Sequence, residues 1–188
     1  MRDVRTDASV ISASLRDREA FAEIFERHFD PVYGFIARRV GSDLATDIAS
    51  DVFLTAFERR SRFDTARSDA LPWLYGIAAN KLRRHRRSEA RRLRALAKTE
   101  PTEEVAADQQ TAIDPTVASA LLSLPAADRE VLLLFTWAEL SYDEVAEALA
   151  IPVGTVRSKL NRARRQLRGT LHPRLQTNPS EEVPRWTN

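Results

Sequence analysis

Apolar residues along this chain recur mostly at three- and four-residue steps rather than in alternation, which predicts amphipathic helices and no sheet. From Arg18 to Val40, Phe21, Ile24, Phe25, Phe29, Val32, Tyr33, Ile36 and Val40 share one side of a helix that Pro31 kinks or divides. Gly41 stops it. Ser42 or Asp43 caps a second helix reaching about Phe57, with Leu44, Ile48, Val52, Phe53, Ala56 and Phe57 inward. The polar stretch Arg59 to Ala70 reads as a loop. Pro72 then opens a helix packed through Trp73, Leu74, Ile77, Ala78 and Leu82. Farther on, Val117, Leu121, Leu122 and Leu124 form a short helix ended by Pro125, and Asp128 to Trp137 forms another. The polar residues before Arg18 read as a frayed start.

The most informative stretch runs from Leu140 to Arg168. Ser141 and Glu144 make a capping box ahead of Val145, Ala146 and Leu149, so a helix covers about Tyr142 to Leu149. Pro152 suits the first position of the next helix. There Val153, Val156, Leu160, Ala163 and Leu167 line one stripe, and no acid occurs between Pro152 and Arg168. A short helix, a tight turn and a cationic second helix match the helix-turn-helix, whose second helix enters the major groove. Thr155, Arg157, Ser158 and Asn161 are placed for bases, and Lys159, Arg162, Arg164 and Arg165 for phosphates. A solvated face is the ordinary meaning of an isolated basic run. The coincidence of capping box, proline start and missing acids favours DNA instead.

Charge changes the picture through its placement, since Lys+Arg is 29 and Asp+Glu 27 for a net charge of only +2. Asp43, Asp47 and Asp51 fall at four-residue steps, and no base occurs between Gly41 and Glu58. Such a like-charge row is either a solvated face or a docking surface for a basic partner, and its self-repulsion favours docking. By contrast Asn80, Lys81, Arg83, Arg84, Arg86 and Arg87 make the later part of the Pro72 helix intensely basic, which points to a polyanion. Trp73 and Tyr75 are either core or stacking partners for unpaired bases. From Thr99 to Asp114 acids stand without a base, so a flexible acidic linker divides the chain into two domains.

With Cys 0, disulfides, thiolate zinc sites and cysteine nucleophiles are excluded. His28, His85 and His172 are scattered, His28 reads as a surface imidazole, and no Gly-rich phosphate loop occurs, so no catalytic residue, metal site or cofactor is expected. The N-terminus has no signal-peptide core and no run approaches a membrane span, so a cytoplasmic chain without membrane insertion is expected.

Two stretches carry a family likeness. LSYDEVAEALAIPVGTVRSKLNRAR, preceded by LPAADREVLLL, resembles domain four of bacterial alternative sigma factors of the extracytoplasmic-function (ECF) type. DIASDVFLTAFERRSRFD followed by PWLYGIAANKLRRHRR resembles domain two of the same family. The likeness spans Phe21 to Arg168 in the family's order. It implies an all-α molecule of two small helical domains: sigma domain two over 18–95, a linker over 96–115, sigma domain four over 116–170, and a disordered tail over 171–188.

The implied function is to bind core RNA polymerase and direct promoter-specific initiation. By resemblance, Thr155, Arg157, Ser158, Lys159, Asn161, Arg162 and Arg165 read the minus-35 element of promoter DNA. Trp73, Asn80, Lys81, Arg83, Arg84, Arg86 and Arg87 engage the minus-10 element and the opened non-template strand, with the loop Phe63 to Ala70 as the pocket for a flipped base. Asp47, Asp51 and Phe53 match the part that docks on the clamp helices of the polymerase largest subunit. An anti-sigma factor is a further implied partner. Gly76 and Ile77 stand where primary sigma factors carry a melting pair of tryptophans, so weaker melting and stricter promoter choice are expected. The rival reading is a stand-alone helix-turn-helix regulator, which predicts a sensory N-terminal domain that the all-helical pattern does not suggest.

Overall fold

The computed structural model describes residues 5–96 and 114–171, so the expected linker and tail lie almost wholly outside the described residues. Thr6 opens the first helix, α1 (Asp7–Ser14), by accepting a hydrogen bond from Ser9 N at 3.3 Å. This helix stands where a frayed start was expected. Val10 and Ile11 are fully buried and tie it to the rest. Asp17 caps a short 3-10 turn, Arg18–Phe21, that leads into α2 (Ala22–Val40). Of the kink or division expected at Pro31, the division does not occur, since α2 continues through it.

Gly41 ends α2 at φ 79°, a backbone that costs a residue with a Cβ about 1 to 2 kcal/mol. α3 (Ser42–Arg59) follows with no side-chain cap, so Ser42 and Asp43 do not take the capping part expected of them. Its inward face is built from small residues, with Ala45, Ala49 and Ala56 fully buried beside Val52 and Phe53. Leu44, expected inside, is 40% exposed because the adjacent Ala45 holds the core-facing position. α4 (Leu71–Leu96) packs on α2 and α3 through Leu74, Ala78 and Leu82, all fully buried at four-residue steps. Burial of each leucine stabilises by about 2 kcal/mol.

In the second half, Asp114 caps α5 (Pro115–Ser123) by accepting from Thr116 N at 2.7 Å. α6 (Ala126–Thr136), α7 (Tyr142–Leu149) and α8 (Val153–Leu171) close around Val131, Leu134, Val145, Val156, Leu160 and Ala163. The capping box of Ser141 and Glu144 is formed in both directions. Ala150, left-handed at φ 52° and ψ 48°, turns the chain from α7 to α8. Pro152 sits one position earlier than expected, as the cap whose carbonyl accepts from Thr155 N and Val156 N at 2.8 and 3.2 Å.

The two halves meet where α7 lies on α4. A Cβ on Gly76 would stand 2.5 Å from the carbonyl oxygen of Ala148, so only glycine allows the approach. Arg39 of α2 donates from Nη1 to Glu130 of α6 at 2.7 Å, with its side chain 2% exposed and stacked over the Phe35 ring. Burial pushes the Arg39 guanidinium below its ordinary pKa, and the Glu130 charge works against that shift. Its Nε and Nη2 have no acceptor among the described residues. At the rim, Arg67 pairs with Glu147. Among the described residues no strand occurs, and no helix is long and apolar enough to cross a membrane.

Candidate nucleic-acid interface

α8 buries Val156, Leu160 and Ala163 and turns the opposite side outward. Ser158, Asn161 and Arg165, at three- and four-residue steps on that side, are exposed. Arg157 is exposed on one flank, within 5.9 Å of the Tyr142 ring, and Arg164 lies 5.1 Å from the Phe135 ring. On the other flank Asp128, in the first turn of α6 and 2% exposed, accepts from Arg162 Nε at 2.9 Å and Nη2 at 3.0 Å. Lys159 Nζ donates to the same carboxylate at 3.3 Å. Thr155 is half-buried. The expected readers thus stand on one helix, but two of the cations are held in place by an internal acid. Asp128 escapes a sequence reading because its partners lie 31 and 34 residues away.

α4 divides along its length. Tyr75 is buried edge-on against Phe35 at 4.9 Å, which removes it as a stacking partner for bases. Trp73 is half-buried at the edge of the core and packs on Phe63 at 5.3 Å. Beyond them Asn80, Arg83, Arg84 and Arg87 are exposed, and Lys81 and Arg86 are half-buried. Asn80 donates to Gly76 O at 3.0 Å and accepts from Arg83. Lys81 reaches Asp51 on α3 at 3.1 Å. The loop 63–70 is anchored at both ends, with Phe63 and Ala70 buried and residues 64–69 exposed between them.

The acidic row on α3 is exposed at Asp43, Asp47 and Asp51. Phe53 is not part of that surface, since it is buried beneath Phe25 and Phe29 with ring centroids 5.0 and 6.0 Å away. In its place Leu44 and Leu54, the latter 56% exposed, flank the aspartates at helical spacing. Sequence periodicity does not separate them from core leucines. His28 also departs from expectation: its ring is largely buried, and Nε2 donates to Asp7 Oδ2 at 2.6 Å.

An all-α chain with a separate acidic ridge, a basic helix and a helix-turn-helix defines a promoter-binding transcription factor, and the family comparisons agree. The Sigma-70 region 2 profile matches residues 24–92 and the Sigma-70 region 4 profile matches residues 116–167. The chain is 30% identical over 173 residues to the ECF RNA polymerase sigma factor RpoE of Cereibacter sphaeroides, covering 87% of this chain and 94% of that protein. It is 32% identical over 170 residues to the ECF sigma factor SigW of Bacillus subtilis, covering 82% of this chain and 90% of that one. The solved structure of CnrH in complex with the cytosolic domain of CnrY superposes with a TM-score of 0.65 at 26% identity, covering 89% of this chain and 98% of that one. The sigma factor RpoE of Bartonella quintana, solved with the anti-sigma factor NepR, has the same fold, with a TM-score of 0.62 at 24% identity over 80% of this chain and 96% of that one. This chain belongs to the ECF family of RNA polymerase sigma factors, which are initiation factors for promoter-specific transcription rather than enzymes.

Proposed function

We propose that this chain works in the cytoplasm as an alternative sigma factor whose two halves hold two promoter elements while α3 holds the polymerase. Domain two is taken as residues 6–96, enlarged at its start by α1, and domain four as residues 114–171. Domain four reads the minus-35 element with Ser158, Asn161 and Arg165 at the centre of the outward side of α8 and with Thr155, Arg157, Lys159 and Arg162 on its flanks. Arg164 contacts phosphate. Domain two engages the minus-10 element through Asn80, Lys81, Arg83, Arg84, Arg86 and Arg87, with Trp73 supporting the loop 63–70 from the core side. That loop takes a flipped base of the non-template strand, whose unstacking costs a few kcal/mol that the pocket must return.

Core polymerase docks on Leu44, Asp47, Asp51 and Leu54, where exposed leucines on either side of two carboxylates suit the basic, partly apolar surface of a clamp helix. The observation that carries the reading is this pairing within one chain of an outward cationic recognition helix and an acidic ridge on a different element. A stand-alone regulator needs the first and has no use for the second. An anti-sigma factor is the proposed inhibitory partner, a class seen bound to the sigma factor of Bartonella quintana.

Transcription in vitro with core polymerase and genomic DNA, followed by start-site mapping, tests the reading. The chain is expected to start transcription where core alone does not. Asp47→Arg with Asp51→Arg is expected to abolish competition for core with helical content unchanged, because both side chains are exposed. Unimpaired competition by that variant would refute the docking surface, and tight operator binding without core would favour the regulator.

A further inference from the structure

The docking ridge and the DNA-facing helices leave α1 without a part, yet its first residue is among the most heavily bonded in the molecule. Asp7 is 6% exposed. Its main-chain N–H donates to Ser68 O at 3.1 Å, and its Oδ2 accepts from Ala70 N at 2.9 Å. One residue of α1 thus holds the loop 63–70 on either side of Asp69. The carboxylate is itself fixed from α2: His28 Nε2 donates to Oδ2 at 2.6 Å, and Arg27 Nη1 donates to Oδ1 at 2.8 Å. Arg27 is held in turn by Glu23 and by Arg5 O, the latter at 2.8 Å.

Asp7, His28 and Asp69 have carboxylate and ring atoms within 4.8 Å of one another. A metal ion does not explain them. Both oxygens of Asp7 already face N–H donors, one of them a guanidinium, and a second cation there would be repelled. A buried carboxylate on α1 that takes its donors from α2 and from the loop is a positional anchor.

The loop it anchors has a particular form. Phe63 is buried against Trp73 at one end and Ala70 is buried at the other, while residues 64–69 are all exposed. Asp64 organises the tip by accepting from Ala66 N and, through its carbonyl, from Arg67 N, each at 3.1 Å. An exposed tip between two fixed ends is preorganised, so a ligand that meets it need not order it.

We propose that Asp7 is a positioning residue for base capture: α1 fixes the C-terminal anchor of the loop and thereby sets the shape of the pocket that receives the flipped non-template base. The inference rests on the reading of that loop as the base pocket. Asp7 touches no base and acts through Ala70 and Ser68. Loss of the anchor lets the loop sample several forms, and both affinity for the opened strand and discrimination among bases fall together.

The test uses holoenzyme reconstituted from core polymerase and the full chain. The probes are a single-stranded oligonucleotide with the non-template minus-10 segment of a promoter mapped with the wild type, its three base variants at the captured position, and a duplex carrying only the minus-35 element. Asp7→Ala is expected to weaken single-strand binding about tenfold and to flatten the preference among the four bases, with duplex minus-35 binding unchanged within about twofold. Ala70→Pro removes the loop's N–H donor at the cost of ring carbons in a buried position, and it leaves Asp7 with Arg27 and His28. The same pattern is expected from it, which keeps the test decisive if Asp7→Ala fails to fold.

Undiminished base preference in a folded variant of either kind overturns the proposal, as does an equal loss on both probes. Thr65→Ala and Arg67→Ala, at the loop tip, separate the two levels. If they weaken single-strand binding while Asp7→Ala and Ala70→Pro do not, the anchor fails and the pocket stands. If they leave it unchanged, the loop is not the pocket and the proposal falls with it.

Discussion

Two buried aspartates do much of the positioning. Asp128 aims Arg162 and Lys159 from beneath the recognition helix, although the Arg162 side chain itself is 56% exposed. Because Arg162 can turn to water when its partner is lost, Asp128→Ala is expected to cost about 1 to 2 kcal/mol of stability rather than the larger loss of a fully buried pair. Its effect on DNA has two signs. Removing the carboxylate releases positive charge and raises non-specific affinity, while the unaimed cations lose their preferred contacts. The ratio of minus-35 to random-duplex affinity, measured at fixed salt, is expected to fall by about fivefold, or 1 kcal/mol. For Asp7, burial raises the carboxyl pKa, but the bonds from His28, Ala70 N and Arg27 outweigh it and bring it down from 3.8 to about 2. A folded pKa below the unfolded one means stability that is whole above about pH 4 and is lost as pH falls toward 2. The shift corresponds to about 2 kcal/mol. Acid unfolding followed by circular dichroism is expected to show a steeper loss between those pH values in the wild type than in Asp7→Ala.

At the scale of elements, legibility follows the range of the interactions. The helix-turn-helix is readable because its determinants are local: the Ser141 and Glu144 box and the stripe from Val156 to Ala163 all formed as expected. α1 was not readable, since eight residues with Val10 and Ile11 as the large apolar side chains make little periodicity. Thr6 as a cap was the one available signal. His28 was misplaced for the same reason, its partner standing 21 residues upstream in that helix. Phe53 and Leu44 show the limit of a stripe on α3, where alanines take the inner face and allow a leucine to face water. Gly76 shows the limit at a helix contact, because its use depends on α7, which no local pattern brings near. Gly76→Ala adds up to about 1 kcal/mol of helix propensity to α4, yet its Cβ would meet the Ala148 backbone, which cannot yield as a side chain can. The expected outcome is unchanged or raised helical stability with α7 displaced from α4, read as a larger radius of gyration in small-angle X-ray scattering. An unchanged radius would show that the helix pair absorbs the methyl group.

For the whole molecule, dimensions matter more than any single contact. A compact body the size of the described residues, 5–96 and 114–171, has a radius of gyration of about 15 Å. Promoter elements some 25 base pairs apart are separated by roughly 85 Å of duplex, at about 3.4 Å per base pair. The closed form cannot reach both. Residues 97–113 supply 17 residues, a covalent reach of roughly 60 Å, so parted halves can. In the closed form α7 lies over Gly76 and Glu147 pairs with the exposed Arg67, next to the proposed strand-binding surface, while the outer side of α8 stays open. If the two halves hold two promoter elements as proposed, they must first part. The seam holds the Arg39 guanidinium at 2% exposure, with Nε and Nη2 lacking an acceptor among the described residues. Parting the halves returns that guanidinium to water, which offsets part of the cost of breaking its bond to Glu130.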